Sequence, residues 1–343
     1  MRGLSGAAVL LLLAAPAHLV QGQYVQPCNG HVELCSRAYS NVSYACTHNA
    51  YAYPPPDALP VFNQRRTIKQ QLEDGVRALM LDVVRPDTLH KEARSVLDRV
   101  MSWFSGKPAT AAQDPLDSVH LCHQSCALID KGKFADSLTV IREFLDANPR
   151  EVITLIIENV SGFSAQDLQP SFEAAGAEQY AFVPEFTASP ARNGYQWPML
   201  GQLIDKNQRL VVFIDDNADT SQVPYILPEW EYVVETPYAN IAPVAAFTCN
   251  QDRPRDNIAR DLIVMNHFAY SRITVGKQNI DMPLMPDQVA ADKYNMVDSL
   301  SAHREVCKQV WGDRVLNFVT LDFYDIGDGA IFKLVDQING VAT

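Results

Sequence analysis

Beyond its first 22 residues this chain of 343 residues has no apolar run near the roughly 20 residues that cross a bilayer. No glycine-rich G-x-G-x-x-G turn follows any apolar run, which argues against a dinucleotide enzyme of the doubly wound type. The paired C-x-x-C motifs of a structural zinc site are missing too. Basic residues are in deficit, 28 Lys and Arg against 40 Asp and Glu, for a formal net charge of −12. Nucleic acid is therefore excluded as a natural partner, because its binding rewards basic surface through counterion release. Tight docking on a strongly anionic bilayer is disfavoured for the same reason. Low-complexity linkers and internal repeats are absent, and 47% hydrophobic with 20% charged residues is a globular composition.

The first 22 residues read as a separate unit. Arg2 precedes the short apolar run AAVLLLLAA and then small residues, the pattern of a secretory signal peptide cut between Ala17 and Gly22. The expected mature protein is residues 23–343, one domain, outside the cell, with no hydrophobic C-terminal tail for a lipid anchor. An oxidising compartment makes disulfides the default for its seven cysteines. Connectivity does not follow from sequence alone. The preferred set is Cys28–Cys35, Cys122–Cys126 and Cys249–Cys307, leaving Cys46 as a buried thiol. Two glycosylation sequons occur. Asn41-Val42-Ser43 lies in an exposed-looking lead-in, and Asn159-Val160-Ser161 at a strand end, where modification is not expected.

Apolar strand-like runs alternate with amphipathic helical stretches. The runs are 44–48, 76–84, 118–123, 152–158, 209–215, 261–267 and 315–322, with shorter ones at 180–183 and 232–235; the helices are 64–73, 135–147 and 198–206. Strands apolar on both faces belong to a covered parallel sheet. Eight or nine of them without a phosphate turn predict an α/β fold, a single TIM-like (β/α) barrel.

These runs stay apolar until they end in a polar group: His48-Asn49, Asp82, His123, Glu158-Asn159, Asp215-Asp216, Asn266-His267 and Asp322. In a parallel barrel such ends share the face that carries active sites. Two imidazoles there, His48 and His123, suit general base and general acid roles. A phosphodiester is a fitting substrate for that pair. Asp322, on the last strand and so beside the first, is placed to orient His48. Asn49, Asp82 and Glu158 offer the hard oxygens that calcium or magnesium takes. Asp215, Asn266 and His267 are candidates for substrate contact. The predicted rim is short of arginine and lysine.

The segments THNAY, NQRRTIKQQLEDGVRALMLDV, HLCHQSC and REVITLIIENV resemble the X region of phosphatidylinositol-specific phospholipase C. Together with YVVETPY, IVMNH and NFVTLDFYDIGDGAIF they are most similar to secreted fungal phospholipase C-like phosphodiesterases, over nearly all of residues 28–340. The resemblance implies cleavage of a phosphatidylinositol or related glycerophosphodiester, in which a hydroxyl of the head group attacks phosphorus and diacylglycerol leaves. It implies His48 as base, His123 as acid, and Asn49, Asp82 and Glu158 as calcium ligands. Met80 departs from the pattern, standing where the calcium-using branch has a second carboxylate, and Asp82 stands where the metal-free branch has an arginine. The lysines that grip extra head-group phosphates are missing, so an unphosphorylated head group is expected. A transient membrane contact is conceivable through residues 88–115, which carry Trp103-Phe104, although a helix packed on the barrel is the plainer expectation. The competing readings are a non-catalytic lipid or sugar-phosphate binder on the same barrel, and a glycerophosphodiester or sphingomyelin-type phosphodiesterase.

Overall fold

The computed structural model describes residues 25–54, 62–86, 116, 118–122, 126, 129–185, 195–271 and 285–342. The strands, in chain order, begin with β1 (Tyr44–Thr47), β2 (Ala78–Val84), β3 (His120–Cys122), β4 (Asp130–Lys133), β5 (Ile153–Asn159) and β6 (Leu210–Ile214). They continue with β7 (Ile226–Pro228), β8 (Val233–Glu235), β9 (Leu262–Asn266), β10 (Tyr270–Ser271), β11 (Met285–Pro286) and β12 (Phe318–Leu321). Eight of them form the main path of one curled ten-stranded sheet, in the order β7-β6-β5-β2-β1-β12-β9-β8, with β3 and β4 attached beside β2. Every neighbouring pair on that path is parallel. The two ends, β7 and β8, are joined along the chain by the four-residue helix Glu229–Tyr232, and among the described residues no ladder closes the ring between them. The fold is thus α/β, a TIM-like barrel with an open seam.

Side chains alternate between the two faces of a strand; the inward residues are even-numbered in β1, β2, β5, β9 and β12 and odd-numbered in β6, β7 and β8. Tyr44, Cys46, Met80, Ile156, Phe213 and Val264 belong to the cluster that fills the barrel. The residues between them, such as Leu79, Leu155, Val212 and Ile263, pack outward in the cluster shared with the helices. The helix Phe134–Ala147 supplies Phe134, Leu138, Ile141 and Leu145 to that layer, a spacing of three and four that puts one stripe on the sheet. Capping boxes start two others. Thr67 with Gln70 opens Ile68–Glu73, and Ser164 with Asp167 opens Ala165–Ala175, so backbone N–H groups that lack a helical partner find one.

Three expectations change. The run 118–123 is not a barrel strand: β3 pairs antiparallel with the end of β2, Val83 opposite Leu121 and Val84 opposite His120, and forms a hairpin with β4 over the mouth. The run 180–183 reduces to one parallel bridge, Ala181 with Leu210. The last barrel position on that side goes instead to β7, which the sequence pattern did not mark. Residues 1–22, all of 88–115 with Trp103 and Phe104, and His123 lie outside the described residues.

The three expected disulfides are present, and Cys46 is a buried free thiol. Asn41 is exposed, whereas Asn159 is buried with its amide donating to the Phe163 and Asp216 carbonyls. No helix among the described residues is long and apolar enough to cross a membrane.

Candidate active site

The inward residues change character at the C-terminal end of the barrel. Below lie Cys46, Met80, Ile156 and Phe213; two residues further along the same strands stand His48, Asp82, Glu158 and Asp215. A cavity of about 160 Å³ opens there, walled by these four and, across from them, by Glu229, Glu235, Arg253 and Asn266.

His48 is held from several sides. Its backbone N–H donates to the Leu321 carbonyl, and its own carbonyl accepts from the Gln64 side-chain amide. The ring stacks on Phe268 at 4.1 Å with planes 3° apart. Nδ1 lies 2.9 Å from Asp322 Oδ1, an oxygen that also accepts from Asn63 Nδ2 at 2.9 Å. A carboxylate can only accept, so Nδ1 carries the proton and Nε2 keeps a free lone pair. Nε2 has no hydrogen-bond partner among the described residues. Burial pulls the imidazole pKa down, but the charges of Asp322, Asp82 and Glu158 outweigh it and raise the pKa above its ordinary value. Asp322 is fixed in turn, because Asn295 donates its side-chain amide to the Asp322 and Phe323 carbonyls.

Asp82 and Glu158 sit opposite each other on the neighbouring strands β2 and β5. The Tyr51 hydroxyl lies 2.8 Å from Asp82 Oδ2 and 2.9 Å from the Cys122 carbonyl, linking β3 to this corner. Glu158 is open to solvent within the mouth yet enclosed by protein around its carboxyl. That enclosure, and then the Asp82 charge, push its pKa up to about 7. Asn49 follows β1 with φ of 44° and is buried.

The opposite wall adds an arginine to a rim that the sequence pattern left short of arginine and lysine. Arg253, from the segment between β8 and β9, donates through Nε to Glu235 Oε2 at 2.9 Å. Its guanidinium lies 4.3 Å from the Tyr238 ring centroid and 5.4 Å from that of Trp230. Burial alone would lower its pKa, but Glu235 and Glu229 more than offset this and raise it. Glu229, 2% exposed, is driven well above the carboxylate range by burial and by Glu235. Asp215 is also raised by burial, though the Asn159 backbone N–H donates to it at 2.8 Å.

The geometry divides the sequence candidates. His48, Asn49, Asp82, Glu158, Asp215 and Asn266 line the cavity, and Asp322 backs His48. His267 does not: it follows the inward Asn266, so it turns outward and bonds His303 and the Tyr294 carbonyl. Arg253, Glu229 and Glu235 escaped the sequence reading. Strand parity carried from Asn266 to the paired β8 marks Glu235 as inward, but Arg253 lies in a loop with no periodic signal.

Residues 34–93 and 106–337 match the PI-PLC X family model. The chain belongs to the PI-PLC X family. It is 30% identical over 319 residues to PI-PLC X domain-containing protein 1 of Arthroderma benhamiae, spanning 92% of this chain and 90% of that protein. An uncharacterized secreted protein of the same organism is 26% identical over 325 residues, or 92% of this chain and 64% of that one. Among solved structures, phosphatidylinositol-specific phospholipase C from Listeria monocytogenes aligns with a TM-score of 0.49 at 14% identity, covering 89% of this chain and 97% of that one.

As a PI-PLC X site, this one can be tested for a hard cation. Asp82, Glu158 and the Asn49 amide are the right donor types. Burial first, and then the Asp82 charge, raise the Glu158 pKa despite the opposing effect of Arg253, and a divalent ion beside both carboxylates would favour their charged forms. Met80, which also lines the cavity, contributes a thioether that hard cations bind poorly. The donor set therefore fits such an ion with three oxygen-bearing side chains and solvent completing the shell.

Proposed function

We propose that the protein is a secreted phosphoric diester hydrolase or lyase of the phospholipase C type, acting on phosphatidylinositol or a related glycerophosphodiester. The observation that carries this is the oriented imidazole of His48. Its Nδ1–H is held by Asp322 and its plane is fixed by Phe268, which leaves Nε2 as a base at the mouth of an acidic cavity. In the reaction, His48 Nε2 takes the proton from an attacking hydroxyl as its oxygen bonds to phosphorus. The bond from phosphorus to the glycerol oxygen breaks, and that oxygen receives a proton from His123, whose role rests on the family pattern.

Asn49, Asp82 and Glu158 would hold a divalent cation such as calcium, which when bound supplies positive charge to the phosphoryl oxygens. Asp215 and Asn266 are suited to a head group rich in hydroxyls, since a carboxylate accepts from hydroxyls and repels extra phosphates while an amide both accepts and donates, and Arg253 is already engaged by Glu235. Secretion is supported by three disulfides and by a relative described as secreted.

A panel of phosphatidylinositol, glycerophosphoinositol and sphingomyelin, with and without EDTA, tests the reading, with phosphorus NMR to detect a cyclic phosphate. Turnover of an inositol lipid is expected, falling at least ~100-fold in His48→Ala, the usual scale for an acid–base group. The thioether of Met80 favours a second reading, a binder that retains the barrel without turnover. Binding of the same lipids with no product from any of them would select it.

A further inference from the structure

A second cluster of reactive side chains lies outside the barrel wall, between the end of β9 and the helix Val297–Trp311. His267 Nε2 is 2.9 Å from the Tyr294 carbonyl, and its Nδ1 is 2.9 Å from His303 Nδ1. A carbonyl only accepts, so His267 Nε2 bears the proton and its Nδ1 is a lone pair. His303 must then donate from Nδ1, and its Nε2 is left unprotonated. That lone pair faces Cys249 Sγ at 3.3 Å and the Thr248 carbonyl at 3.4 Å, neither of which offers it a proton while Cys249 is in its disulfide. Cys307 stands four residues after His303 on the same helix, hence on the same face. His303, Cys249 and Cys307 each bring one ligand atom to within 4.8 Å of the others.

We propose that, once the Cys249–Cys307 disulfide is reduced, these three residues form a site for a soft metal ion such as zinc. A dithiol reductant supplies two electrons and two protons, giving two thiols and its own cyclic disulfide. Metal binding then releases the two thiol protons and forms two metal–sulfur bonds and one metal–nitrogen bond. A ligating histidine normally gives its other N–H to an orienting acceptor, and His267 already does this for His303. A cavity of about 270 Å³ bounded by Phe247, Tyr294, Ser299, His303 and Val306 provides the entry path. Three protein ligands leave the fourth tetrahedral position to solvent. The metal would replace the disulfide as the tether of the segment between β8 and β9, which carries Arg253. This site is independent of the proposed phosphodiesterase chemistry.

The test uses the full chain, oxidised or reduced and freed of reductant, titrated with cobalt(II) and then zinc. The reduced chain is expected to bind one equivalent at this site, with thiolate-to-cobalt charge transfer and tetrahedral d–d bands that zinc abolishes. Neither Cys249→Ser nor His303→Gln should show this spectrum, and His267→Ala should weaken binding about 10–100-fold. Circular dichroism of each variant before reduction establishes that it folds, and Cys307→Ser stands in for any variant that does not. A reduced chain that takes up no cobalt overturns the proposal. So does a cobalt spectrum indifferent to both the cysteine and the histidine substitutions, because the ion would then sit on other thiols.

Discussion

His48 works as a base only when neutral, and its pKa is raised chiefly by carboxylates, Asp322 first. The acidic limb of kcat/KM should therefore lie above pH ~6.5, the ordinary imidazole value, with activity rising as pH rises through it. Asp322→Asn removes that charge, so the limb should move to lower pH while the plateau falls by up to ~100-fold. A purely structural aspartate would lower the plateau and leave the limb where it was, and a pH–rate profile separates the two outcomes. The His48–Asp322 pairing was legible in the sequence because the first and last strands of a barrel are neighbours, which brings residue 48 beside residue 322. Arg253 was not legible. Nothing in a loop's composition says that its arginine will cross back over the mouth to a buried glutamate.

The elements around the site are held by backbone contacts that tolerate little added volume. Gly327, in the turn after β12, has φ of +96°, and a Cβ there would lie 2.1 Å from the Asn295 carbonyl oxygen. The side chain of the same Asn295 anchors the Asp322 and Phe323 carbonyls. Gly327→Ala should destabilise by more than ~1 kcal/mol and, by shifting Asn295, lower kcat in the folded fraction. Denaturant melts and assays on the folded protein measure the two effects separately. At this scale the sequence reading found seven of the eight barrel strands, since apolar runs ending in polar groups stand out. The direction of β3 was hidden because its three residues carry no sign of which neighbour they pair with. The inward phase of β9 was hidden for a related reason. A strand covered on both faces shows no polar alternation, so nothing distinguished Asn266 from His267 until one of them was seen to face in.

For the molecule as a whole, the concentration of carboxylates at one end of the barrel sets a pH dependence of stability. Glu229 keeps its proton in the fold at pH values where the unfolded chain, with a carboxyl pKa near 4.3, has lost it. Folding thus carries no penalty from this residue below pH ~4 and a growing one above it. Glu229→Gln, which keeps the shape of the neutral acid, should raise the melting temperature at pH 8 by on the order of 2 °C or more and change it little at pH 4. Calorimetry at the two pH values checks the sign. The open seam between β7 and β8 has another consequence. His31 Nε2 and Asp336 Oδ1 are 3.5 Å apart, so the opening and closing stretches of the described chain meet at the far end of the barrel. A circularly permuted polypeptide with its new ends inside Glu229–Tyr232 would sever no interstrand ladder, and it should reach the same architecture by a different order of assembly.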